Sequence, residues 1–190
     1  MLKAQQSVLK AAAKTVLDQK LNILRAVSQQ DYVHVHTPHF NASVGGHIRH
    51  SLDHFSILLS RDFAAASPLD VVDYDIRDRN TDIETNKDSA IAKTCALLTT
   101  LDDMFASPSA AQLMATPLTV RFVGDAASGE TYSAPTSLAR EMSFVAHHGI
   151  HHLATVKLMM QRMNYELGDG VGKAFATIQH EQEQQAATKK

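Results

Sequence analysis

Apolar residues recur along most of this 190-residue chain at the three-to-four spacing of an amphipathic helix. In the first thirty residues Leu9, Ala13, Val16, Leu17, Leu24 and Val27 share one face, and Lys and Gln fill the other. A second helix follows, with Asn41 or Ser43 as its N-cap and Val44, Ile48, Leu52, Phe55 and Leu59 as its stripe. It runs to about Phe63 and is broken by Ser67-Pro68. The charge alternation of "VVDYDIRDRN" reads as a loop. "TDIE", Thr81 to Glu84, has the spacing of a capping box and opens a third helix with Ile91, Leu98, Leu101 and Phe105 inward. From Pro117, "PLTVRFVG", "DAASGE" and "TYSAP" read as two short strands around a glycine-containing turn. Thr136 or Ser137 then caps a fourth long helix reaching about Met163. Beyond Gly168 and Gly170, "KAFATIQHEQEQQAATKK" predicts a weak terminal helix. These elements predict an all-α fold over residues 1–190: a single four-helix bundle with a short β-hairpin before the last long helix, and residues 170–190 as a polar C-terminal extension.

Composition narrows the function classes. A hydrophobic content of 44% in 190 residues suits one substantial core. Eighteen Lys plus Arg against twenty Asp plus Glu, scattered singly, argue against a nucleic-acid partner. The chain start lacks the pattern of a secretory signal, and no apolar run approaches the roughly 18 residues of a bilayer span. The expectation is a cytoplasmic protein with no membrane partner. Its single cysteine, Cys95, reads as a small core residue. A homodimer is expected on the frequency of two-fold assemblies alone.

Histidine changes the picture. Of eleven, six lie between residues 34 and 54 and four between 147 and 152. On the fourth helix, at about 100° per residue, His152 lies about 40° and His148 about 80° from the centre of the apolar stripe. His151 and His147 lie about 140° and 180° away. Only His148 and His152 address the core, and their i, i+4 spacing lets both imidazoles reach one ion. Each unsatisfied buried polar group costs about 1–3 kcal/mol, so an inward pair needs partners. "GGHIRHSLDHF" supplies His47, His50 and His54. His47 and His54 flank the stripe of the second helix and His50 lies toward its far side, which leaves the choice among them open.

Other residues carry weaker signals. Tyr74, Arg77 and Arg79 sit where they could hold an anionic substrate, although a loop of mutually paired Asp and Arg residues accounts for them more simply. Asp53 could orient a ligand histidine or be solvated. Met142, Met159, Met160 and Met163 read as core filler, and His34, His36 and His39 as solvent-exposed residues of a connecting segment.

"SVGGHIRHSLDHF" joined to "HHGIHHLATVKLM" resembles the DinB/YfiT-like putative metalloenzymes, and "VDYDIRDRNTDIE" looks like a loop of one subgroup of them. The resemblance runs from about Ser43 to Met160. It implies a four-helix bundle in which a divalent metal, nickel or zinc, is bound by one histidine of the second helix and a His-x3-His pair of the fourth. Matched to this chain, those ligands are His50, His148 and His152. Three imidazoles leave a position for water, a thiolate or a substrate carbonyl. The resemblance therefore implies a transferase, in some relatives thiol-dependent, or a hydrolase acting on a small molecule, with no residue marked as general acid or base. The competing expectation is a non-catalytic binding or dimerisation bundle whose histidines are hydrogen-bonded.

Overall fold

The computed structural model describes residues 2–61, 71–76 and 81–188, the side chains of residues 2 and 3 excepted. The chain is mostly helical, with one small three-stranded sheet. Four long helices carry the core: α1 (Leu2–Ala26), α3 (Val44–Leu59), α5 (Lys87–Ala106) and α7 (Leu138–Arg162). Short helices α2 (Gln29–Val33), α4 (Asp82–Thr85) and α6 (Ala110–Met114) lie between them, and α8 (Phe175–Thr188) closes the described chain without a buried residue. α1 and α3 each pack against both α5 and α7. No helix among the described residues is long and apolar enough to cross a membrane.

The expected stripes of α1, apart from Leu9, and of α3 are the buried ones, whereas on α5 only Leu101 of the expected Ile91, Leu98, Leu101 and Phe105 is buried and the other three pack half-buried beside the core. Ala13, Val16, Leu17, Leu24 and Val27 of α1 meet Val44, Ile48, Leu52, Phe55 and Leu59 of α3 in one core, which Met142, Met159 and Met160 of α7 complete. One residue departs from the expectation that lysines face outward. Lys20, four residues from both Val16 and Leu24, is fully buried. α7 passes close to α1 at Gly149, where a Cβ would stand 2.5 Å from Val16 Cγ1 and 3.0 Å from Lys20 Nζ.

Helix starts follow local chemistry. Ser43 caps α3 by accepting the Gly46 N–H, and Ser137 caps α7 by accepting the Arg140 N–H. α3 ends at Leu59; Phe63, Ser67 and Pro68 lie outside the described residues. The capping box is not made. Thr81 precedes only the short α4 and makes no side-chain cap bond, while Arg49 Nε donates to Glu84 Oε2 at 3.0 Å. The third long helix starts later, at Lys87, with Asn86 accepting the N–H groups of Asp88 and Ser89. Cys95 is exposed rather than a core residue, because α5 buries Ala90, Thr94, Leu97 and Leu101, and position 95 is rotated away from that face.

The predicted hairpin is present as β2 (Pro117–Val123) and β3 (Thr131–Ser137), antiparallel with Val120 opposite Ala134. The segment read as a loop contributes a third strand, β1 (Val71–Asp73), which pairs parallel with β2, Val72 opposite Val120. Its strand character comes from a distant partner, with Val72 buried and Arg121 Nε 2.8 Å from Asp73 Oδ2, so no local pattern announces it. β3 runs directly into α7, which sets the sheet against the first turns of that helix.

Candidate metal centre

His47, His50 and His54 are spaced by three and then four residues, which aligns them along one side of α3. α7 runs beside α3 and presents His148 and His152 to that side. The result is a cluster of five imidazoles. His148 Nε2 lies 3.1 Å from His50 Nε2 and 3.0 Å from His152 Nε2, and His152 Nδ1 lies 3.0 Å from His47 Nδ1. The ligand atoms of His50, His54 and His148 all lie within 4.8 Å of one another, close enough to hold one ion. His54 Nδ1 is 2.9 Å from the His50 carbonyl. A carbonyl only accepts, so Nδ1 carries the proton and His54 Nε2 presents a lone pair.

Of the residues expected as ligands, His50 and His148 fall in the group with His54, which stands in the place expected of His152. His152 touches His148 Nε2 but is not part of that group, and the short contacts at His148 are of a length that suits a metal. Two nitrogens each about 2.0–2.1 Å from one ion stand roughly 2.8–3.4 Å apart at angles between about 90° and 109°. The two measured Nε2 separations, 3.0 and 3.1 Å, fall in that interval. Proton counting points the same way. His148 Nε2 faces two other Nε2 atoms, yet one ring nitrogen holds either a single hydrogen or a single in-plane lone pair. It satisfies one neighbour well and leaves the other contact poor, a conflict that a cation at the His148 nitrogen would relieve. Burial reinforces neutrality. It holds His152 far below the ordinary imidazole value, down to about 2, helped by the charges that His148, His50, His47 and His151 would carry. His47 is lowered by burial and then by His151.

The helical wheel separates the α7 histidines correctly: His152 is buried, His148 half-buried, and His147 and His151 exposed. On α3 it leaves the choice open for a physical reason. The cluster sits at the rim where α3 meets α7, off the axis of the apolar stripe, so His50 reaches it from the side the wheel places far from the core. His47 and His54 reach it too.

The cluster opens into a cavity of about 400 Å³ with His50, His54 and His148 along one side. Val120, Phe122 and Phe144 supply apolar wall. Phe144 stacks on His148 at 5.6 Å between ring centroids and 17° between planes, and Tyr74 stacks on His54 at 4.9 Å and 6°. Behind the wall lies a buried carboxylate. Glu141 accepts hydrogen bonds from the Tyr74 hydroxyl at 2.8 Å, the Thr136 hydroxyl at 2.6 Å and Arg140 Nη1 at 2.8 Å. Burial, followed by the Glu141 charge, drives the Tyr74 hydroxyl upward and keeps it protonated.

Tyr74 therefore lines the cavity, which the simpler reading of a mutually paired loop did not anticipate, and Arg77 and Arg79 lie outside the described residues. Asp53 pairs with Arg49 Nη1 at 3.0 Å. His34 and His39 are exposed, but His36 is buried against Phe40, because its segment folds back through hydrogen bonds between His36 N–H and Ala42 O and from Phe40 N–H to His36 O. Sequence reasoning missed Arg140, Glu141 and Phe144. An acid in the first turn of a helix ordinarily complements the helix dipole, and only the tertiary approach of Tyr74 makes Glu141 a buried hub.

No family model and no solved structure matches the chain. FK506-binding protein 5 of Rhizopus delemar is 27% identical over 110 residues, 58% of this chain. The chain thus spans about a quarter of that curated relative's length, 27%.

Proposed function

We propose that this chain is a DinB/YfiT-like four-helix bundle whose His50, His148 and His152 hold a divalent metal, nickel or zinc, for a transferase or hydrolase reaction on a small molecule. The observation that supports the reading is the place of His148 Nε2, 3.1 Å from His50 Nε2 across elements roughly a hundred residues apart and 3.0 Å from His152 Nε2, beside a set of His50, His54 and His148 ligand atoms all within 4.8 Å of one another. The metal supplies Lewis acidity toward a substrate oxygen or thiol. The chain's own residues do the rest. The cavity of about 400 Å³ admits a small molecule, and Val120, Phe122 and Phe144 exclude water from its body. His54, fixed by its Nδ1–H bond to the His50 carbonyl, offers Nε2 as the proton acceptor beside the ligand set. Tyr74 and Phe144 hold His54 and His148 in plane by stacking, the orienting support a ligand imidazole requires.

Metal analysis of purified protein tests the reading. Wild type carries about one equivalent of nickel or zinc, and the double variant His148→Ala with His152→Ala loses it. Equal content in the two rejects the assignment. His54→Ala separates the third ligand from the base: it keeps the metal and loses turnover if His152 is the ligand, and loses the metal if His54 takes that place.

A further inference from the structure

Arg140 stands where the cavity opens, and its surroundings fix its chemistry. Its side chain is 59% exposed, and Nη1 is bonded to the buried Glu141. Its guanidinium carbon lies 5.3 Å from the centre of the Phe144 ring, the same ring that stacks on His148. Glu141 cannot swing away, because Tyr74 and Thr136 also donate to it. The guanidinium is therefore anchored at one nitrogen and lies over an aromatic face, with the Nε and Nη2 edge left for another acceptor among the described residues.

From this geometry we infer that Arg140 is the specificity-determining residue of the cavity and that the substrate class is small carboxylic acids with an apolar body: the acid on the guanidinium fork, the body between Val120, Phe122 and Phe144, and the reacting end at the histidines. The substrate class rests on the metal reading above; the anion site at Arg140 does not. A planar fork pairs with a carboxylate through two parallel hydrogen bonds, which a point charge cannot do. The same rim argues for a monoanion over a phosphate. Asp75 also lines the cavity, its carboxylate accepting the Val123 N–H at 2.7 Å, so a doubly charged group meets more repulsion than a carboxylate does. The volume, about 400 Å³, limits the body to about the size of one ring or a short chain.

The test compares hydrocinnamate with its amide, matched in shape and different in charge. Each is titrated calorimetrically near neutral pH into zinc-loaded and chelator-treated protein, for wild type, Arg140→Gln and Arg140→Lys, with zinc assayed in every sample. Wild type prefers the acid by about tenfold, the usual worth of a charge-assisted pair at a partly exposed site. Arg140→Gln abolishes the preference with zinc content unchanged. Arg140→Lys keeps a cation for Glu141, loses the fork, and retains only a severalfold preference. Equal affinity for acid and amide in wild type overturns the inference, as does a preference that survives Arg140→Gln. A preference that survives Arg140→Gln yet vanishes on chelation puts the acid on the metal instead. Should Arg140→Gln fail to fold by circular dichroism, Arg140→Lys decides, and an undiminished preference there overturns the fork. Wild type that takes up no zinc rejects the metal reading, while the chelated arm still reports on Arg140.

Discussion

Lys20→Met should stabilise this protein, although the substitution deletes a charged residue from an amphipathic helix. Lys20 is fully buried, its Nζ has no hydrogen-bond partner among the described residues, and the amine lies 5.3 Å from the centroid of the Phe55 ring. Gly149 of α7 closes the other side. Burial pushes the amine from its ordinary 10.5 down to about 7. A gap of that size, at about 1.4 kcal/mol per unit, corresponds to a folding penalty of about 5 kcal/mol at and below neutral pH. Total stabilities run only about 5–15 kcal/mol, so the penalty is large. Methionine fills a similar volume with flexible apolar atoms. Allowing for the lost ring contact and imperfect packing, the gain at neutral pH is about 2–4 kcal/mol.

The sign of the pH dependence is a separate check. The unfolded chain holds this proton up to 10.5 and the native protein releases it at about 7. Between those values the unfolded state binds more protons, so wild-type stability climbs with pH by up to about 1.4 kcal/mol per unit. Below about 7 both states are protonated and Lys20 contributes no slope. Urea unfolding followed by circular dichroism, wild type against Lys20→Met from about pH 6 to pH 10, reads both effects. The variant should lose the rising limb, and its advantage should shrink toward the alkaline end. A less stable variant at neutral pH, or one with the wild-type slope intact, refutes the reasoning and means that the amine is paired and charged in the native protein.

Other perturbations probe separate parts of the structure. Gly149→Ala drives a methyl to 2.5 Å from Val16 Cγ1 and should cost about 1–3 kcal/mol in denaturant unfolding; a neutral result would mean that α1 and α7 are not in close contact there. Glu141→Ala strands the Tyr74 and Thr136 hydroxyls and the Arg140 contact, with an expected loss of about 2–4 kcal/mol by the same measurement, and an unchanged midpoint would deny the hub. Asn86→Ala removes two cap bonds from α5 and should cost about 1 kcal/mol. Metal-free protein should lose stability as pH falls below 6.5, because the unfolded chain then protonates histidines that His152 and His47 resist in the native state; His152→Leu should flatten that limb in acid titrations followed by circular dichroism.

Much of the helical layout was legible because period and caps are local. The α3 stripe from Val44 to Leu59, the Ser43 and Ser137 caps, and the inward turn of His148 and His152 all follow from neighbours within a few residues. What escaped depends on distant partners. β1 is a strand only because β2 lies alongside it, and Glu84 fails as a capping acid only because Arg49 reaches it from another helix. Lys20 is instructive in a different way. Lysines are expected on the polar face of α1, yet steps of four residues from Val16 and to Leu24 carry Lys20 onto the core face. Here the spacing was the better guide.

The candidate site has a longer pattern than the His-x3-His pair. Arg140, Phe144, His148 and His152 are each four residues apart on α7. Four residues turn the helix by one turn and about 40°, so the row winds slowly around it. Exposure falls along the row as it winds: Arg140 is exposed, Phe144 and His148 are half-buried, and His152 is buried. Stacking links the first three, with the guanidinium over Phe144 and Phe144 on His148, and the short Nε2 contact links the last two. One strip of one helix thus joins an anion-binding edge at the mouth to the imidazoles at the base. The consequence is mechanical coupling. Trimming Phe144 removes the surface that orients both Arg140 and His148, so a change that touches neither the charge nor the nitrogens should weaken acid binding and metal retention together.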